Sequence, residues 1–143
     1  MTSKAPEIGI LRAIFELFGI VLARFRPLPR IWGAWLVAVN SAAVFFIAHV
    51  EAQVTLGAVG VAVLAQALIY QRKRFIRVLG ATHALWIPML GWIVLRLGAL
   101  PAREAAFRVW LITLLATNAV SLAIDAWDAT RFTLGERRPY YVW

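Results

Sequence analysis

The sequence predicts an all-α integral membrane protein, a compact four-transmembrane-helix bundle preceded by an N-terminal amphipathic interfacial helix. Three observations carry that expectation. Four long apolar runs recur along 143 residues. Apolar residues make up 62% of the chain, with a mean hydropathy of +0.76. Twelve of the fifteen Lys and Arg residues fall into alternate connections between the runs. A soluble domain is usually about 45–50% apolar, and a globule this small has too little interior to hide the excess. Lipid is the natural solvent for it. The length is that of one domain, so residues 1–143 are read as a single membrane domain.

A span needs about 20 residues, and the runs that qualify are 31–50, 54–70, 79–97 and 106–124. Five basic residues (Lys4, Arg12, Arg24, Arg26, Arg30) precede the first run, and four (Arg72, Lys73, Arg74, Arg77) separate the second from the third. Three more (Arg131, Arg137, Arg138) follow the fourth, which leaves Arg96, Arg103 and Arg108 on the other side. By the positive-inside rule both termini are cytoplasmic, and a bacterial inner membrane is the expected location. Residues 7–25 carry Ile8, Leu11, Ile14, Phe15, Phe18, Val21, Leu22 and Phe25 at helical spacing, with Arg12 and Glu16 one turn apart on another face. The uncharged stretch between Glu16 and Arg24 is too short to cross, so this segment is read as a helix lying at the cytoplasmic interface. The rival reading is a fifth span. Pro27 and Pro29 break the segment before the first span. Residues 125–143 form a cytoplasmic tail whose Phe132, Tyr140, Tyr141 and Trp143 suit the headgroup zone.

The net charge of +8 invites a nucleic-acid reading. The basic residues instead sit at the ends of apolar runs, so anionic headgroups are the expected counter-charge, at about 1 kcal/mol per residue. Membrane lipids, a second copy or a membrane protein are the expected partners, and nucleic acid is not. The absence of cysteine excludes thiol–disulfide chemistry and iron–sulfur ligation. The first strongly apolar run begins near Ile31, late and long for a cleaved signal, and is read as a retained span. A retinal Schiff base needs a lysine within a span, whereas Lys4 and Lys73 lie outside the runs. Small multidrug antiporters depend on a glutamate inside their first span, and the first run has none.

Polar side chains within spans are costly and tend to be functional. Counting helical rise from each midpoint, Asn40 lies near the midplane, and Asn118, Gln66 and His83 lie about 4–8 Å toward the cytoplasm. Ser121 and Asp125 continue inward, and Asp128 reaches the boundary. The outer half offers Thr55, His49 and Thr113. With no wet path from end to end, a pore is not indicated. A pocket facing the cytoplasm is the expected shape, lined by Gln66, His83, Asn118, Ser121, Asp125 and Asp128, with Arg77 and Arg131 at its mouth.

The spacing of Asn118, Ser121, Asp125 and Asp128 puts them on one helical face, and Ala116, Ala119, Ala123 and Ala126 fall on nearly the opposite one. The polar face equally suits plain interhelical hydrogen bonding, and the alanine face suits close helix contact. Pro88 should kink the third span one turn after Ala84, beside His83, which can then bond that carbonyl or Asp125. His49 and His83 are about 20 Å apart along the membrane normal, too far to share an iron. No metal or other cofactor is expected. Three functions follow from these features. The leading one is a non-enzymatic accessory or scaffold subunit of a larger inner-membrane assembly. The second is a small-molecule or lipid binding or transport protein using the polar pocket. The third is a membrane enzyme acting on a lipid or isoprenoid, with His83 and Asp125 as an acid–base pair.

Overall fold

A computed structural model describes residues 8–73, 77–101 and 104–136. These are helical almost throughout. Helix α1 (Ile10–Gly19) runs into a π-helical turn (Ile20–Arg24), and α2 (Pro27–Ser41) continues as a 3-10 segment (Ala42–Phe46). Helix α3 (Val50–Lys73) is followed by a long 3-10 segment (Arg77–Leu85), then α4 (Trp86–Leu97) and α5 (Ala105–Thr133). Three helical stretches are long and apolar enough to cross a membrane: Pro27–Phe46, Val50–Arg72 and Ala105–Thr133.

The boundaries differ from the sequence reading in three places, each for a local reason. The first stretch begins at Pro27. Pro27 and Pro29 sit in the opening turn of α2, where a missing N–H costs nothing, so they start that helix as well as ending the segment before it. The run 79–97 is not one continuous α-helix. It is a 3-10 segment joined to α4 at Leu85–Trp86. Pro88 has no N–H to donate to the Ala84 carbonyl and its ring crowds that oxygen. A new α-helix that begins at Trp86 places Pro88 in its own first turn, where neither penalty applies. The helix formed by the fourth run continues to Thr133, through residues assigned from sequence to the tail. It ends where Gly135 takes a φ of 95° and its N–H bonds the Phe132 carbonyl, with Glu136 N–H on Arg131. That is a glycine C-cap closing the helix. The remaining tail, 137–143, lies outside the described residues.

The apolar interior falls into two bodies. The larger joins Val39, Ala43, Ala52, Ala62, Trp86, Met89, Ile93, Phe107, Trp110, Leu111 and Leu114. The smaller joins Ala13, Leu17 and Ile20 to Ala67, Tyr70 and Leu79 at the opposite end. Helix α1 therefore packs against the last turns of α3, held also by Tyr70 Oη donating to Glu16 Oε2 at 2.8 Å. Its other side leaves Leu11 and Phe15 exposed, as is Leu22 of the π turn. The π turn passes close to α2: a Cβ on Gly33 would lie 2.5 Å from Val21 Cγ1. Ten helical residues and a five-residue π turn fall short of the roughly 20 residues a crossing needs.

Candidate functional site

Between the two apolar bodies lies a layer of hydrogen-bonded polar side chains. Asn40 of α2 and Asn118 of α5 form a reciprocal amide pair, with N–H···O distances of 2.9 and 3.1 Å. Asn40 also donates to the Leu36 carbonyl. Both residues are buried. Trp35 Nε1 donates to Thr117 Oγ1 at 3.1 Å one turn away. This part of the layer is self-satisfied and locks α2 to α5. Truncating one partner strands the other in an apolar core, which costs about 1–3 kcal/mol. Asn118→Leu is expected to lower thermal stability by that amount in detergent. Asn40→Leu/Asn118→Leu should recover most of it, and equal losses from the single and double variants would contradict the pairing.

Two turns further along α5, Asp125 faces the 3-10 segment. Its Oδ2 lies 2.8 Å from His83 Nδ1. A carboxylate only accepts, so Nδ1 carries the proton. The neutral ring then receives the Gln66 amide N–H at Nε2, at 2.9 Å. The result is a chain from α3 through the 3-10 segment to α5. Trp86 stacks on the imidazole, with centroids 4.1 Å apart and planes 23° from parallel. The 3-10 geometry makes this contact natural, because side chains at i and i+3 eclipse. Gly80 completes the fit. A Cβ there would overlap Asp125 Oδ1 and lie 2.6 Å from Asp125 Cγ, so only glycine lets the carboxylate reach His83.

This chain borders a cavity of about 950 Å³. Its walls are mostly apolar: Leu17, Phe18, Val21 and Phe25 from the N-terminal segment, and Leu28, Ile31, Trp35 and Leu36 from α2. The polar lining is Asn40, Ser41, Gln66, His83, Ser121, Asp125 and Asp128, with no Lys or Arg among the described lining residues. The residues of α1 and the π turn cover the end that the sequence reading left open to the cytoplasm. Leu28, Ile31, Trp35 and Ile124, all well exposed, stand at the side between α2 and α5.

Of the residues singled out from sequence, Gln66, His83, Ser121, Asp125 and Asp128 line one cavity. Asn118 stands behind it, engaged with Asn40. Arg131 is not at its mouth: it forms an ion pair with Glu136, Nε donating to Oε2 at 2.6 Å. The Arg77 side chain lies outside the described residues. Residues that sequence reasoning passed over include Gly80, whose role depends on a close approach that no motif encodes.

The far end of the helices is also more polar than the sequence reading allowed. Glu51, 2% exposed, is ion-paired with Arg96, and Thr55 Oγ1 donates to the Glu51 carbonyl. His49 stacks on Phe107 at 3.8 Å and lies 3.7 Å from Glu104. Opposite charges at adjoining ends of the second and third runs were the available signal. His49 and His83 belong to these two separate clusters. Among the described residues no three His, Asp or Glu side chains gather as a metal site would require.

Fold and site together define an all-helical protein with membrane-compatible helices and a polar chain set beside an apolar cavity. Compared with known proteins, the chain matches no family model, no curated protein and no solved structure.

Proposed function

We propose that this is a membrane-embedded binding protein for an uncharged amphiphilic small molecule. The observation that carries the reading is the cavity of about 950 Å³, apolar on most of its wall, with the Gln66–His83–Asp125 chain on one side. Binding sites of this kind combine apolar walls with a few convergent polar groups. In this reading the fold is a four-crossing bundle. The 3-10 segment and α4 make the third crossing: nine residues at about 2.0 Å rise and twelve at about 1.5 Å cover roughly 36 Å, against about 30 Å of hydrocarbon. Helix α1 and the π turn lie at the cytoplasmic interface with Leu11, Phe15 and Leu22 in lipid. Both termini are cytoplasmic, in a bacterial-type inner membrane with anionic headgroups against the basic connections. The ligand enters sideways from the lipid, between Leu28, Ile31 and Trp35 of α2 and Ile124 of α5.

Acid–base catalysis by His83 is less well supported. Both ring nitrogens are engaged, and the Gln66 amide would have to leave Nε2 before that atom met a substrate. A second reading, an accessory subunit of a larger assembly, draws on one observation. Ala116, Ala119, Ala123 and Ala126 are all exposed along α5, a surface that permits close helix contact.

Native mass spectrometry of the protein purified in mild detergent tests the proposal. A lipid-like adduct is expected on the wild type and is expected to be depleted in Asp125→Asn. If both proteins emerge bare, the binding reading fails. A stoichiometric protein partner in place of an adduct supports the subunit reading instead.

A further inference from the structure

We infer that Gln66 reads the head group of the bound amphiphile, and that this head donates a hydrogen bond to the Gln66 carbonyl oxygen. This rests on the binding reading and deepens it. Gln66 meets the cavity from α3. Val59, Val63 and Gln66 recur at helical spacing and all three line the cavity, so one face of α3 forms that part of the wall.

The neighbours of Gln66 fix which end of its amide is free. Asp125 Oδ2 accepts from His83 Nδ1 at 2.8 Å, so the neutral ring keeps its lone pair on Nε2. That lone pair needs a donor, and the Gln66 amide nitrogen supplies it at 2.9 Å. The nitrogen is thereby committed to the ring and the carbonyl oxygen is left over. Among the described residues no donor reaches that oxygen. It is not sealed in either: the one fully buried side-chain polar atom without a partner, among the described residues, is Trp86 Nε1. Gln66 Oε1 therefore keeps accessible surface, on the face of α3 that walls the cavity.

An acceptor held there gains from a head with a hydroxyl or N–H and gains nothing from one that only accepts, such as an ether. The apolar walls sharpen the difference, because an amide oxygen facing hydrocarbon forfeits the hydrogen bond that water would give it. Asp125 acts on this preference through His83. It sets the tautomer, the tautomer sets the amide, and the amide sets the class of head.

The test uses the full chain in lipid nanodiscs, with farnesol and farnesyl methyl ether as probes and empty nanodiscs as the blank. The two share one hydrocarbon chain. The alcohol donates and accepts, whereas the ether only accepts. The wild type is expected to prefer farnesol. Gln66→Met keeps the side-chain length and removes the carbonyl, and is expected to lower the preference about fivefold, the scale of one hydrogen bond between neutral groups. Comparing the two proteins cancels any effect of the extra methyl group on the ether. Gln53→Met, at an exposed residue near the start of α3, is the control and should leave the preference unchanged. Should Gln66→Met fail to fold, the wild type still decides. The chain has three glutamines. With their side-chain carbonyls 13C-labelled, the Gln66 resonance is expected to move downfield with farnesol and to stay put with the ether. An unchanged preference in Gln66→Met, or a resonance unmoved by farnesol, overturns the role of Gln66 while leaving the cavity a binding site. A wild type that binds the ether as tightly as farnesol overturns the donor head. Binding of neither probe overturns the binding reading and this inference with it.

Discussion

Replacing Gly80 with alanine is expected to detach Asp125 from His83 and to abolish ligand retention. The physical cause is space. The new Cβ would overlap Asp125 Oδ1, lie 2.6 Å from Cγ and stand 3.2 Å from Cβ, so a rotation of the carboxylate alone does not clear it. Either the 3-10 segment backs away from α5 or the carboxylate swings off the imidazole. Overpacking of this kind costs about 1–3 kcal/mol, and the broken hydrogen bond to a charged group adds about 1.5–3 kcal/mol. Thermal unfolding in detergent should show the loss. Gly80→Ala/Asp125→Ala should recover stability, because the obstructing atoms are gone, while ligand retention stays absent. A Gly80→Ala protein as stable and as well liganded as the wild type would falsify the close packing of the 3-10 segment on α5.

Arg96→Ala is expected to be the most damaging change at the other end of the molecule. Glu51 is buried, and its charge is balanced by the Arg96 guanidinium. Removing one partner of a fully buried pair costs about 3–5 kcal/mol, mostly the penalty of the stranded charge. Here the arginine side chain is 46% exposed, so its surroundings already screen the pair, and a loss of about 2–3 kcal/mol is the scale to expect. Part of it comes from the lost stacking of the guanidinium over Trp92, 5.2 Å from the ring centroid. Glu51→Gln/Arg96→Ala should be more stable than Arg96→Ala alone, since the amide removes the charge left without a partner. A double variant no better than the single one would show that Glu51 is solvated in the absence of Arg96, and that the pair contributes little.

Which polar residues would meet was partly legible before any coordinates. Depth counting put Gln66, His83 and Asp125 at neighbouring levels, and the structure links them in one hydrogen-bonded chain. It also put Asn40 near Asn118, although only Asn118 was taken for the pocket. Depth says nothing about rotation about a helix axis. Asn118 therefore turned out to serve the α2–α5 lock, and Arg131 turned to Glu136. The outer ion pair was missed for a related reason: Glu51 falls between the first two runs and Arg96 at the end of the third, positions where charges are ordinarily solvated, and the burial of Glu51 depends on how the helices pack.

Hydropathy and helical periodicity, being local properties, determined by themselves that the chain is helical with four long apolar runs, and the structure forms three helical stretches long and apolar enough for a bilayer. Pro88 likewise announced a break near residue 84, because a missing N–H acts within one turn of its own position. Tertiary structure alone decided that this break becomes a 3-10 segment whose glycine admits Asp125, and that α1 covers one end of the cavity. Each of those depends on how close two distant backbones come, a distance set by the packing of whole helices and written in no single stretch of sequence.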